Sequence, residues 1–311
     1  MDAILQELTY DSLHEGAVWP FDRRYIRPRH FHGQLECLLV LRGTATLHLG
    51  TRAESVRAGQ LCWVLPGMPH VMSDFSPDFD MWVVQLESAL VDSCWTDVAG
   101  AGRDADAPFE GWSVSLAERL AGATIVDVAG EDVRSLGGDA RHVWTASGSA
   151  EAAAHLRAFC ESALRLSLAG ARRSRQQSVA ELTSCLLLAS PTTDRRAAAA
   201  ELGVSEGFLS RSIQRELGVT FVEHRARTRV AHFLANIHGG HGNLLTAALD
   251  AGFGSYSQFH RIFTRLSGSR PRDYLDVGRR RLQLLVAGDV EQPDVGPVLA
   301  LSASLRQLAP L

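Results

Sequence analysis

Lysine is absent from this 311-residue chain, and all 31 basic residues are arginine. That usage fits a GC-rich genome and carries no information about a target. Long apolar runs are also missing. The longest, such as Cys37–Leu41 and Cys185–Ala189, are far too short to cross a bilayer, which excludes a transmembrane helix. The first residues, MDAILQELTY, show no basic segment followed by an apolar one, so no secretory signal is expected and the chain is expected in the cytoplasm, away from membranes. Cysteine is sparse and odd in number. Cys37, Cys62, Cys94, Cys160 and Cys185 are widely separated and mostly in apolar runs, which argues against a disulfide framework and for buried thiols.

Charge is unevenly placed. Between residues 171 and 287 there are 17 arginines against 9 acidic residues, so this segment carries +8 and the remainder −12. A basic C-terminal half suits a polyanionic partner and an acidic N-terminal half does not. A hydrophobic fraction of 46% argues for packed structure, and the length allows two domains.

The stretch 252–271, GFGSYSQFHRIFTRLSGSRP, reads as a DNA-reading helix with its stop signal. Ser255 is a helix cap, Phe259, Ile262, Phe263 and Leu266 recur at helical spacing, and Gly268 with Pro271 ends the run. The remaining face carries Tyr256, Ser257, Gln258, His260, Arg261 and Arg265, which are groups that hydrogen-bond base edges and phosphates. A second copy lies fifty residues upstream. Ser205, Leu209, Arg211, Ile213, Arg215 and Gly218 keep one offset from Ser255, Phe259, Arg261, Phe263, Arg265 and Gly268. Each copy follows a short Ala-rich segment, Arg195–Leu202 or Leu244–Ala251, and a glycine, the sequence form of a helix-turn-helix.

Gly252-Phe253, then Ser255, Phe259, Arg261 and Phe263, then Gly268, Pro271 and Tyr274 make the chain resemble the AraC family of bacterial transcription regulators over about residues 175–287. Thr264, Ser267 and Leu275 depart from that pattern. In a helix-turn-helix the second helix enters the major groove by its N-terminal end. The base-facing positions are then Gly207, Ser210, Arg211 and Gln214 in the first copy, and Tyr256, Ser257, Gln258 and Arg261 in the second, with His260 near the edge. Arg215 and Arg265, one turn further on, are expected on phosphates. A helix over Phe221–Asn236, apolar at Val222, Ala226, Val230 and Phe233, would join the modules. A further helix after residue 176 presents Val179, Leu182, Leu186 and Ala189.

The N-terminal half has another texture. Leu35–Leu41, Thr44–Leu49, Leu61–Leu65 and Met81–Leu86 are short strand-like runs cut by Gly and Pro, consistent with a small barrel or jelly roll. His30, His32 and Glu36, then Gly43, and later Gly59, Pro66, Gly67 and His70, resemble a cupin. Should one strand run on through Gly33, His30, His32 and Glu36 share a face. Three imidazoles and a carboxylate are a ligand set for a divalent first-row metal, no cofactor being certain. The alternative is that they line an effector pocket or satisfy one another, with Trp63, Met72, Phe75, Trp82 and Val84 as apolar walls. Short helices are expected at Val114–Leu120 and Glu131–Leu136. Beyond them, Leu156, Phe159, Cys160, Ala163 and Leu164 form one helical stripe, which either covers the barrel or, as the resemblance implies, mediates dimerisation.

The expected fold is α+β, with a cupin-like barrel and dimerisation helices over 1–170, an all-α DNA-binding domain with two helix-turn-helix motifs over 171–288, and a tail over 289–311 with no assigned role. Arg172, Arg173 and Arg175 form a basic joint at the boundary, near 171–176. The expected function is sequence-specific transcription regulation under a small-molecule effector, without enzymatic activity. Double-stranded DNA, a second copy of the chain and, by resemblance, RNA polymerase are the partners. The competing reading is a metal-dependent cupin enzyme fused to a DNA-binding domain. No acid, base or substrate-positioning set beyond the four ligands supports it.

Overall fold

The computed structural model describes residues 4–5, 15–22, 28–99, 114–122, 124–146, 149–170, 177–238 and 243–275. The basic joint, the boundary at 171–176 and the tail at 289–311 lie outside them. The strand Leu35–Arg42 (β4) is buried on both faces for most of its length, which is why LECLLVLR runs almost continuously apolar instead of alternating. It is the centre of an antiparallel sheet. On one side lie Gln60–Val64 (β7) and then Ile125–Asp127 (β10), and on the other Asp80–Leu86 (β9) and then Gly16–Pro20 (β2). A second sheet runs Ile4–Leu5 (β1), His30–Phe31 (β3), His70–Ser73 (β8), Thr44–Leu49 (β5) and Arg52–Arg57 (β6), with β1 parallel to β3 and the other pairs antiparallel.

Strand alternation divides the apolar side chains between two cores. Leu38, Val40, Val64 and Val83 meet Leu47 and Val56 of the other sheet and fill the space between the sheets. Leu35, Cys37, Leu39, Trp63, Trp82 and Val84 point the opposite way, towards the helices Ser88–Ala99 (α1), Val114–Gly122 (α2), Gly130–Thr145 (α3) and Ala150–Gly170 (α4). The stripe Leu156, Phe159, Cys160, Ala163 and Leu164 on α4 is at most 1% exposed and belongs to this core. It covers the barrel and is not a free dimerisation face.

The C-terminal half is helical: Val179–Ala189 (α5), Arg195–Glu201 (α6), Glu206–Leu217 (α7), Phe221–His238 (α8), Leu244–Asp250 (α9), Tyr256–Ser267 (α10) and a helical stretch at 271–275. Helix α5 starts with a capping box, in which Ser178 accepts from Glu181 N–H and the Glu181 carboxylate accepts from Ser178 N–H. Its buried face is Ala180, Thr183, Ser184, Cys185, Leu187 and Leu188, whereas Val179, Leu182, Leu186 and Ala189 are half-buried. A helix enclosed on several sides has no single stripe for periodicity to select. The same cause misplaces Val222, which is 65% exposed on α8, where Ala226, Val230, Phe233 and Leu234 are buried along with His224, Arg227 and His232. No helix among the described residues is long and apolar enough to cross a membrane.

Candidate DNA interface and buried histidine cluster

The two modules are built alike. The hydroxyl of Ser205 accepts from Phe208 N–H and that of Ser255 from Gln258 N–H, both at 3.2 Å, so each recognition helix starts from the cap expected of it. Each ends on a left-handed glycine, Gly218 or Gly268, with φ 72° in both. The turns differ by one residue. Gly203 (φ 65°) lies two residues before its cap, and Gly252 (φ 83°) lies three before.

Gly207, Arg211, Gln214 and Arg215 are exposed on α7, with Ser210 half-buried, and Ser257, Arg261 and Arg265 are exposed on α10. The arginines at matching positions, Arg211 and Arg261, thus stand free to reach a groove. The Arg211 guanidinium lies back along the helix towards its N-terminus, where a Cβ on Gly207 would meet its Nη1 at an ordinary contact distance of 3.4 Å. Other sites have a job in the protein itself. Gln258 Oε1 accepts from Gly254 N–H at 2.9 Å, which makes this side chain a brace for the turn. Tyr256 leans on Phe259, ring centroids 5.6 Å apart, and near His260 at 6.2 Å. Arg265 donates to Glu223 of α8 at 2.7 Å, and Arg215 pairs with the adjacent Glu216 at 2.8 Å. Sequence reasoning passed over Phe208, 42% exposed beside Gly207, an apolar group of the kind that packs on a thymine methyl.

In the barrel, His30, His32, Glu36 and His70 come together although His30 and Glu36 belong to different sheets. The strand does not continue through Gly33; the chain crosses from β3 to β4 there, and the four side chains converge at the end of the inter-sheet space. The three rings each bring one nitrogen within 4.8 Å of the others, and all four residues are 1–5% exposed. Backbone carbonyls hold every Nδ1: Pro28 O to His30 at 2.9 Å, Gln34 O to His32 at 3.1 Å and Met68 O to His70 at 3.0 Å. A carbonyl only accepts, so Nδ1 carries a proton in each ring and Nε2 is left facing the cluster, where it donates to Glu36 when it too is protonated and would be the ligating nitrogen when it is not. Nε2 of His32 lies 3.2 Å and that of His70 3.4 Å from the Glu36 carboxylate, which also accepts from Gln85 Nε2 at 2.8 Å. Burial acts to raise the Glu36 pKa, but the hydrogen bond and charge of His32, then those of His70, hold it well below the usual carboxylate range. A carboxylate fixed as an anion among three imidazoles is a place for positive charge. The residues present therefore fit a divalent ion.

The apolar walls expected beside this cluster do not line it together. Trp63, Trp82 and Val84 face the helices, while Met72 and Phe75 pack on the inter-sheet core. A cavity lies instead at the seam between barrel and helical half, bordered by Leu49, Trp63, Met68, Leu120, Glu181 and Ser184.

Comparison with known proteins gives the family. Residues 14–168 match the model of the AraC-like ligand binding domain, and residues 198–276 match that of a helix-turn-helix domain. No curated protein matches the chain. Among solved structures, apo ToxT K231A from Vibrio cholerae is 15% identical, with 86% of this chain and 98% of that one covered and a TM-score of 0.42. The AraC-like transcriptional activator CuxR is 14% identical over 76% of this chain and 78% of its own, with a TM-score of 0.30. A cupin from Methanocaldococcus jannaschii with a double-stranded β-helix fold is 16% identical over 27% and 83%, with a TM-score of 0.22. With a ligand-binding barrel followed by two helix-turn-helix modules, the chain belongs to the AraC family of transcription regulators.

Proposed function

We propose that this regulator reads an asymmetric DNA site with α7 and α10 and is controlled by an effector bound at the His30, His32, Glu36 and His70 cluster. The observation that carries the reading is the duplicated capped helix with an exposed arginine at one matching position, Arg211 and Arg261. Placed about 34 Å apart by α8, the two helices would enter successive major grooves on one face of a duplex. Ser210, Arg211, Gln214, Ser257 and Arg261 read bases in this proposal, with Tyr256 and Gln258 contributing from the first turn of α10, and Arg215 and Arg265 turning to phosphates once DNA competes with their carboxylate partners. By analogy with the family, the reading extends to a homodimer, to RNA polymerase as the partner in activation and to a cytoplasmic location.

At the cluster the effector class favoured by the donor set is a divalent first-row ion, held by His30, His32, His70 and Glu36. Such an ion would supply the positive charge that four inward-facing donors share, in a sensor without turnover. Selection of duplexes from a random pool by the full chain should return one extended motif, and a reporter driven by that motif should respond to the protein. Enrichment of no motif would remove the regulator reading. Metal analysis of untagged protein tests the ion: about one equivalent supports it, while stoichiometric iron or manganese together with substrate turnover would favour a cupin enzyme.

A further inference from the structure

We propose that the histidine cluster and the two recognition helices are coupled through the strands that carry the ligands, so that filling the cluster with a divalent ion changes the affinity for DNA. This rests on the metal-binding reading above and concerns what the bound ion does.

The first link is Phe31, which sits between His30 and His32. Its neighbours turn into the cluster, and strand alternation turns Phe31 the other way. There it is fully buried in the core of the second DNA-binding module with Val230, Phe233 and Leu234. The guanidinium of Arg227 lies 5.2 Å from its ring centroid. Glu223 takes Arg227 at 3.3 Å and Arg265 at 2.7 Å, so the contact continues to the recognition helix α10. The backbone follows the same path. A Cβ on Gly33 would lie 3.2 Å from Ala231 O and from Leu234 Cβ, and one on Gly67 would lie 3.4 Å from the Thr228 backbone, so both loops flanking the cluster rest on α8.

The second link starts at His70, which pairs with Leu49 of β5. The next residue, Gly50, donates to Pro69 O at 2.8 Å and takes a left-handed turn with φ 60°. Glu216 O lies 2.4 Å from where a Cβ on Gly50 would be, so only glycine permits this approach. Thr51 then closes the end of α7: its N–H donates to Glu216 O at 2.8 Å, and its hydroxyl lies 2.6 Å from Arg215 O and 2.9 Å from Glu216 O. Carbonyls at the end of the first recognition helix are thus satisfied by the barrel rather than by water.

The ligand strands can respond to filling. β3 is two residues long, and its recorded pairing with β8 is the single pair His30 and His70. Donors bonded to one ion at about 2.1 Å stand at most about 4.2 Å apart, whereas the nitrogens here are spread over up to 4.8 Å. An ion bonded to all three rings therefore draws them closer than they stand, and the segments that carry them, 30–32 and β8, are the ones on which Phe31 and Gly50–Thr51 are mounted. Differential affinity of the ion for the two arrangements is the requirement for linkage.

The test uses the full chain stripped by chelator, a duplex recovered by selection, and Co2+, whose visible absorption reports binding independently of DNA. Expected are a Co2+ spectrum at one equivalent and a shift in duplex affinity of about fivefold or more, of either sign. In Thr51→Val, which keeps the side-chain shape without its hydroxyl, and in Phe31→Leu, the Co2+ spectrum should persist while the shift falls below about twofold. A Co2+ spectrum with unchanged duplex affinity in the parent chain would overturn the coupling and leave the metal site standing. An absence of Co2+ binding would overturn the metal site and the coupling with it. A full shift retained in both variants would overturn the route.

Discussion

At the scale of single residues, the arginines of the recognition helices separate into two kinds by their neighbours. Arg211 and Arg261 are exposed, and a bidentate contact to guanine is open to both. Arg261→Ala should cost about 1–3 kcal/mol on the selected duplex and relax discrimination at one base position. Equal losses on all duplexes in a competition assay would demote Arg261 to a phosphate contact. Among the described residues Arg215 pairs with the neighbouring Glu216 in a surface ion pair, which is weak enough to be exchanged for a phosphate. Arg215→Ala should therefore weaken binding on every duplex and reduce the salt slope by about one unit, read from a salt titration. The cysteines are a second residue-scale case. All five are free and buried, and burial pushes the thiols of Cys62 and Cys185 up to about 12. Thiolate is the reactive form, so a thiol reagent at neutral pH should modify none of the five quickly in the native chain and all five after denaturation. Rapid modification of any thiol in the folded chain would contradict that packing.

At the scale of elements, the helix ends carry most of what the sequence made legible. Ser205, Gly218, Ser255 and Gly268 mark the bounds of α7 and α10 because caps are local chemistry: a hydroxyl two or three residues from an orphan N–H, and a residue without Cβ where φ turns positive. Ser255→Ala should cost about 1 kcal/mol of stability, and Gly268→Ala about the same through its left-handed φ, both measured by urea unfolding. Changes near zero would mean that α10 is held by its Phe259 and Phe263 packing alone. Elements without a local signal were not legible. β6, RAESVR, has only Val56 buried and reads as a polar loop until β5 pairs with it along its whole length. Helix α1, SALVDSCWTDVA, has no acidic first turn and no basic last turn to mark its ends. The four cluster residues were legible by type and spacing, but their route was not, since two sheets supply them and no single strand does. Phe31, Gly50 and Thr51 escaped notice because their partners lie far along the chain, Glu216 being 165 residues from Thr51.

At the scale of the whole molecule, α8 is enclosed by both DNA-binding modules and the barrel, and this enclosure gives stability a defined pH dependence. His224 and His232 are buried on α8, and His224 Nε2 meets the hydroxyl of Ser184 on α5 at 2.9 Å. Burial lowers the His224 pKa to about 4, with the nearby Arg227 charge acting in the same direction. Burial also lowers that of His232 to about 4, against the opposing hydrogen bonds of the Leu188 and Leu187 backbone. Both rings are then neutral in the folded chain at pH values where an unfolded chain, with histidine near 6.5, has taken up protons. The unfolded state binds more protons between about pH 6.5 and 4, so stability falls on acidification across that window and is flat in these groups above it. Each histidine contributes a slope of about 1.4 kcal/mol per pH unit. Below about 4.5, Glu36 adds to the loss, because its folded pKa is depressed and the unfolded glutamate takes up a proton while Glu36 in the folded chain stays ionised. Urea unfolding in the presence of chelator, at pH 7.5, 6.5, 5.5 and 4.5, should show a constant midpoint over the first step and a steady fall over the next two. In His232→Gln, which cannot take up a proton, the fall should be shallower by about 1.4 kcal/mol per pH unit. An unchanged slope in that variant would place the proton uptake elsewhere and show that α8 is open to water where the packing has it closed.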